Sequence, residues 1–92
     1  LIRLFQEDQQ KIAGLGRAAT SALRVHDDLQ SHPLLSVPRA ANRIGISQPT
    51  VQAAITRLEK LGIVREITGQ RRNRLYSYES YLSILDEGTE PL

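Results

Sequence analysis

The stretch Pro38-Arg39-Ala40-Ala41-Asn42-Arg43-Ile44-Gly45-Ile46-Ser47-Gln48-Pro49-Thr50-Val51-Gln52-Ala53-Ala54 decides the fold. Two helices that cross closely at a wide angle need a small residue on the first, a glycine in the turn and apolar plugs around both. Ala41 is the small residue, Gly45 stands four further on and Val51 six beyond that, while Ala40, Ile44, Ile46 and Ala54 fill the neighbouring apolar positions. Ser36 is placed to cap the first of these helices, with Pro38 in the first turn, where a missing amide costs nothing, and Gly45 stops it after Ile44. Ser47 opens the second helix, which runs to about Leu61. Pro49 has no amide to offer, so the Ser47 hydroxyl is expected to bond the amide of Thr50. Val51, Ala54, Ile55, Leu58 and Leu61 form one apolar stripe on this helix. Residues 36–61 therefore read as a helix-turn-helix.

After Gly62 helical spacing gives way to residues that favour strands, Ile63 to Thr68 and Arg74 to Tyr78, around a basic tip from Gly69 to Asn73. This is a hairpin of ambiguous register, because Ile63 and Val64 are adjacent and both apolar. Upstream, Ile12, Leu15, Ala19, Ala22, Leu23, His26 and Leu29 fall at three-and-four spacing, which predicts a long first helix from Gln6 to about Gln30, ended by Ser31-His32-Pro33. Gly14 and Gly16 either accommodate something close-packed or mark a bend in it. Leu34 to Ser36 is a short extended link. A last short helix near Ser80 to Glu87 carries Tyr81, Ile84 and Leu85 on one side, Gly88 is its expected stop, and Gly88 to Leu92 reads as a frayed end. The expected fold is α+β and mainly helical, a winged helix-turn-helix with a two-stranded wing. It is organised as one domain over residues 1–92: a long helix in 1–31, the helix-turn-helix in 36–61, the wing in 62–78, and a short helix and tail in 79–92.

Ninety-two residues suffice for one core. The chain starts at Leu1 and contains no methionine, which reads as a piece of a longer protein. Without cysteine there is no disulfide, thiolate metal site or cysteine nucleophile, and a reducing cytoplasm is the default compartment. No apolar run approaches the roughly 20 residues that span a bilayer, so no membrane association is expected. The net charge of +2 hides a pattern. Residues 1–31 are balanced, 32–61 and 62–78 each hold four basic side chains against one acidic one, and the tail adds Glu79, Asp86, Glu87 and Glu90. A basic middle followed by an acidic end suggests a surface that faces a polyanion.

In a winged helix-turn-helix the second motif helix enters the major groove and the wing lies along phosphates or the minor groove. With Val51 at the centre of the buried stripe, the outward arc holds Pro49, Ala53, Thr56 and Lys60, flanked by Gln52 and Arg57. Gln48, Pro49, Thr50, Gln52, Ala53, Thr56 and Arg57 are the candidate DNA-binding residues of this helix. Gln52 suits adenine and Thr56 a base edge or a phosphate, yet proline and alanine in the middle of the arc predict weak base reading. In the wing Arg71, Arg72, Asn73 and Arg74 are the candidates, with Gln70 beside them and Arg39 and Arg43 as helpers, all suited to phosphate.

Gly16-Arg17-Ala18-Ala19 with Ser21-Ala22-Leu23, the run Leu61 to Gly69, Arg71-Arg72-Asn73-Arg74, Tyr78, Tyr81-Leu82, Ile84-Leu85 and Glu87 to Pro91 carry a family likeness. Over nearly its whole length the chain resembles the C-terminal winged-helix domain that follows the catalytic domain in many bacterial Fic family proteins. The resemblance implies a parent that acts as a protein adenylyltransferase, transferring AMP from ATP to a hydroxyl of a target protein (AMPylation) through a loop of the His-Pro-Phe…Gly-Asn-Gly-Arg type. No such loop occurs here, so this chain is expected to be no enzyme, to have no catalytic residue and to need no cofactor. Expected partners are double-stranded DNA, the Fic catalytic domain of the same chain, or a second copy, with Ile2, Leu4 and Phe5 either pairing copies or resting on another domain. A protein-interaction module and the DNA-binding domain of a stand-alone transcription regulator are the alternatives.

Other constellations are weaker. His26, Asp27 and Ser21 do not make a triad, since adjacent helical residues point to different faces. His26 and His32 share no helix face and find no further ligand, so no metal site is expected. Tyr76, Tyr78 and Tyr81 suit the seam between hairpin and final helix better than base stacking.

Overall fold

In a computed structural model, which describes residues 1–89, the chain runs through five helices and three short strands. Helix α1 spans Ile2–Ala13, a single 3-10 turn covers Gly16–Ala18, and α2 spans Ala19–Ser31. The long first helix is thus corrected to two. Gly16 takes φ +67, a left-handed conformation incompatible with helix propagation, so of the two readings open for Gly14 and Gly16 the chain adopts the bend. Strand β1 (Leu34–Leu35) follows Pro33, then α3 (Val37–Ile44) and α4 (Gln48–Lys60) form the helix-turn-helix.

The turn between α3 and α4 is built as its residues require. Gly45 is left-handed at φ +81 and its amide bonds the Ala41 carbonyl at 2.9 Å. Ala41 is buried where the helices meet the core, and Ile46 packs partly buried against it. The Ser47 hydroxyl accepts from the Thr50 amide at 3.3 Å, the bond that Pro49 dictates. Ser36 stands at the start of α3 in extended conformation, but its hydroxyl makes no capping bond, which corrects its expected role.

At the far end of α4, the amides of Gly62 and Ile63 bond the carbonyls of Glu59 and Leu58 at 3.0 and 2.9 Å, a Schellman motif that turns the chain into the wing. Strands β2 (Arg65–Glu66) and β3 (Tyr76–Ser77) are shorter than the sequence suggested, and helix α5 spans Glu79–Thr89. Ile63 and Val64 are both buried because they precede the pleated part of the strand and no alternation applies to them. The sheet has three antiparallel strands in the order β1-β3-β2, with Leu34 opposite Ser77, and Arg65 also opposite Ser77. The expected link before α3 is therefore a strand, and the two-stranded wing gains a third member. Gly88 lies inside α5 and does not stop it; the rest of the expected frayed end, residues 90–92, lies outside the described residues.

The core is formed by Ile12 of α1, Ala22, Val25 and Leu29 of α2, Ala40 and Ala41 of α3, Val51, Ala54, Ile55 and Leu58 of α4, and Leu35, Tyr76 and Tyr78 from the sheet side. Leu4 and Phe5 rest on this core, whereas Ile2 remains 73% exposed. A buried polar chain crosses it. The Tyr78 hydroxyl donates to Asp8, His26 Nε2 lies 3.0 Å from that hydroxyl, and Gln30 Nε2 lies 3.4 Å from His26 Nδ1. With the Tyr78 proton committed to Asp8, His26 is neutral, donating through Nε2 and accepting at Nδ1. Phe5 packs edge-on to His26 and Tyr81, with ring centroids at 5.9 and 5.1 Å, and the Tyr78 ring lies 6.0 Å from Phe5 and 5.7 Å from Tyr81, so α1 and α5 both meet the residue that follows β3.

Candidate nucleic-acid interface

The apolar stripe of α4 points inward, which obliges the opposite face outward. Gln48, Pro49, Gln52, Ala53, Thr56 and Arg57 are exposed and Thr50 is half-buried. The wing tip carries Arg71, Arg72, Asn73 and Arg74, all exposed. Between the start of α4, the start of α3 and the wing lies a groove of about 800 Å³. Gln48 and Gln52 line it from α4, Arg71, Asn73 and Arg74 from the wing, and Arg39 and Arg43 from α3. Five of the candidate residues are thus brought to one concave surface, while Pro49, Thr50, Ala53, Thr56, Arg57 and Arg72 lie outside its lining.

Local bonds set what each side chain has left to offer. Gln52 Nε2 lies 3.3 Å from the Tyr76 hydroxyl and 3.5 Å from Thr56 Oγ1, so its amide is held against the base of the wing with its oxygen unspent. Thr56 donates its proton to the Gln52 carbonyl at 2.9 Å, and Thr50 pairs with Ser47 at 2.8 Å, which leaves both hydroxyls partly committed. Arg57 folds back onto the Ala53 carbonyl at 3.4 Å. Arg43 is clamped by Asp28 through two bonds of 3.0 and 2.8 Å, and this pairing raises its already high pKa. Its charge is largely compensated, whereas Arg39, the other helper, has no ion-pair partner among the described residues and brings its charge to the groove. Arg71 and Arg72 make no hydrogen bond or ion pair among the described residues.

The wing loop is held from within. Asn73 adopts φ +55, the left-handed conformation that asparagine tolerates, and Arg74 Nε donates to the Gln70 carbonyl. Glu66 accepts from Thr68 and Gly69, and the hydrogen bonds from Thr68 chiefly hold its carboxyl below the usual range. Sequence reasoning passed over Glu66 and the Tyr76 hydroxyl. The signal for Glu66 was present as an acid just ahead of Thr68-Gly69, a loop-capping arrangement. The Tyr76 contact spans 24 positions and had none.

Such a motif, followed by a wing whose cations border the same groove as the exposed helix face, defines the winged helix-turn-helix fold. Residues 21–65 match the family described as winged helix-turn-helix DNA-binding, a stretch running from α2 through α4 to the first residue of β2. The wing tip, α1 and α5 lie outside that match. No curated protein matches the chain. No helix among the described residues is long and apolar enough to cross a membrane.

Proposed function

We propose that this domain is a regulatory module that grips duplex DNA mainly by its backbone, with Arg71, Arg72, Arg74 and Arg39 on phosphates and the start of α4 in the major groove. The observation that carries the reading is the groove in which Gln48 and Gln52 face Arg71, Arg74 and Arg39. Gln52 and Gln48 are the base-facing side chains, with Thr56 beside them. Because Pro49 and Ala53 occupy the middle of the exposed face, most of the affinity is electrostatic and sequence preference is shallow.

Titration against a random duplex at several salt concentrations tests this. Three to five phosphate contacts give a log-log slope of about −3 to −4.5, and replacing Arg71, Arg72 and Arg74 with alanine reduces its magnitude by about one for each arginine engaged. Absence of binding at low salt overturns the reading. In that case the same apolar centre of α4, Pro49 and Ala53, favours docking on a protein surface.

The parent is proposed to be a Fic-type adenylyltransferase, with this domain recruiting or restraining the catalytic domain. That step rests on the residues of the family resemblance, and the DNA-binding domain of a stand-alone transcription regulator fits the same fold equally. The sequence ahead of Leu1 in the parent decides: a His-Pro-Phe…Gly-Asn-Gly-Arg loop supports the Fic parent and its absence removes it.

A further inference from the structure

An acidic side chain in a surface meant for phosphates lowers affinity unless it does something else. Glu66 is the single acid among residues 62–78. It ends β2, opposite Tyr76, and the last backbone bond of the hairpin joins Ile67 to Leu75 at 3.0 Å. Beyond that rung the loop has no ladder to hold it. One carboxylate oxygen of Glu66 accepts from the Thr68 amide and the Thr68 hydroxyl, both at 2.6 Å, and the other accepts from the Gly69 amide at 2.8 Å. The Thr68 hydroxyl oxygen in turn accepts from the Gln70 amide at 3.2 Å. Gln70 gives its carbonyl to Arg74. A continuous hydrogen-bonded path thus runs from the strand end to an arginine of the tip.

We propose that Glu66 is the positioning residue of the wing, fixing the loop that carries Arg71, Arg72 and Arg74 so that they meet phosphates without first being ordered. The inference rests on the DNA reading above and names the device that makes the wing work. A flexible tip loses conformational freedom on binding, and a loop already fixed by charged hydrogen bonds does not.

The test compares two variants that remove the same charge. In Glu66→Gln the remaining carbonyl oxygen still accepts the Thr68 pair, whereas Glu66→Ala keeps none of the three bonds. The expected result is duplex binding roughly three- to tenfold weaker for Glu66→Ala than for Glu66→Gln, the size of about one lost neutral hydrogen bond. Amide exchange at Thr68, measured without DNA, is expected to accelerate in Glu66→Ala and much less in Glu66→Gln, whereas the Gly69 amide loses its acceptor in both. A urea midpoint for each variant confirms that both are folded. Equal affinities for the two variants, or both binding more tightly than wild type by the same factor, show that only charge matters and overturn the proposal. Unchanged exchange in Glu66→Ala overturns it independently of DNA. A wild-type domain that binds no duplex sinks instead the reading on which it rests.

Discussion

Ser47 and Pro49 act together at the start of α4. The proline removes one amide that a cap would satisfy, so the serine hydroxyl serves Thr50, and it also contacts the Thr50 hydroxyl at 2.8 Å. This pairing was legible because it follows from the absence of a single hydrogen. Ser47→Ala is expected to cost about 1 kcal/mol in urea denaturation, the usual value of an N-cap. Ser36→Ala is expected to cost much less, since its hydroxyl caps nothing. Equal costs for the two would show that the Thr50 bond contributes no stability. What remained hidden at this scale are bonds between side chains far apart in sequence, such as Gln52 with Tyr76 and Asp8 with Tyr78. Composition and spacing say that such groups must find partners when buried, but not which ones.

Among the elements, the helix-turn-helix was read in full because its constraints are local: a small residue, a left-handed glycine and a stripe at fixed offsets. The first helix was not, because apolar spacing continues in phase across Gly14 and Gly16 even though the backbone breaks there. The two glycines differ in kind. Gly14 is right-handed at φ −72, with only the Lys11 carbonyl at contact distance from an added Cβ, whereas Gly16 is left-handed at φ +67 with open space around it. Gly16→Ala is therefore expected to destabilise by about 1–2 kcal/mol through backbone strain alone. Gly14→Ala is expected to be neutral or to stabilise by up to about 1 kcal/mol. Thermal midpoints of the two variants moving in the same direction would contradict this account of the bend. The third strand was missed for a related reason: Leu34 and Leu35 are too few to signal a strand, and it is pairing with Tyr76 and Ser77 that makes them one.

For the molecule as a whole, the path from Asp8 through Tyr78 and His26 to Gln30 joins α1, the sheet and α2, and it makes folding depend on pH from two sides. Burial lowers the pKa of His26 from 6.5, against the opposing pull of Asp8 and then Asp27. The unfolded chain therefore binds a proton more readily than the folded one. Stability is complete above pH 6.5 and declines as pH falls below that value towards the folded pKa. The slope from one such group is no steeper than about 1.4 kcal/mol per pH unit. Tyr78 shifts the other way. Burial first, and then its hydrogen bond and charge contact with Asp8, raise its pKa far above 10.0, so its contribution is complete below pH 10 and is lost above it. The expected profile is a plateau between pH 6.5 and 10 with a decline on each side. Urea midpoints across this range check it. In His26→Gln the decline between pH 6.5 and about 5 flattens, and in Tyr78→Phe the alkaline decline does. A wild-type midpoint that stays constant down to pH 5 would mean that His26 accepts its proton in place, beside Asp8, without cost. The added proton would sit on Nδ1, since Nε2 already donates to the Tyr78 hydroxyl, and Gln30 would have to turn its amide oxygen towards Nδ1 to accept from it.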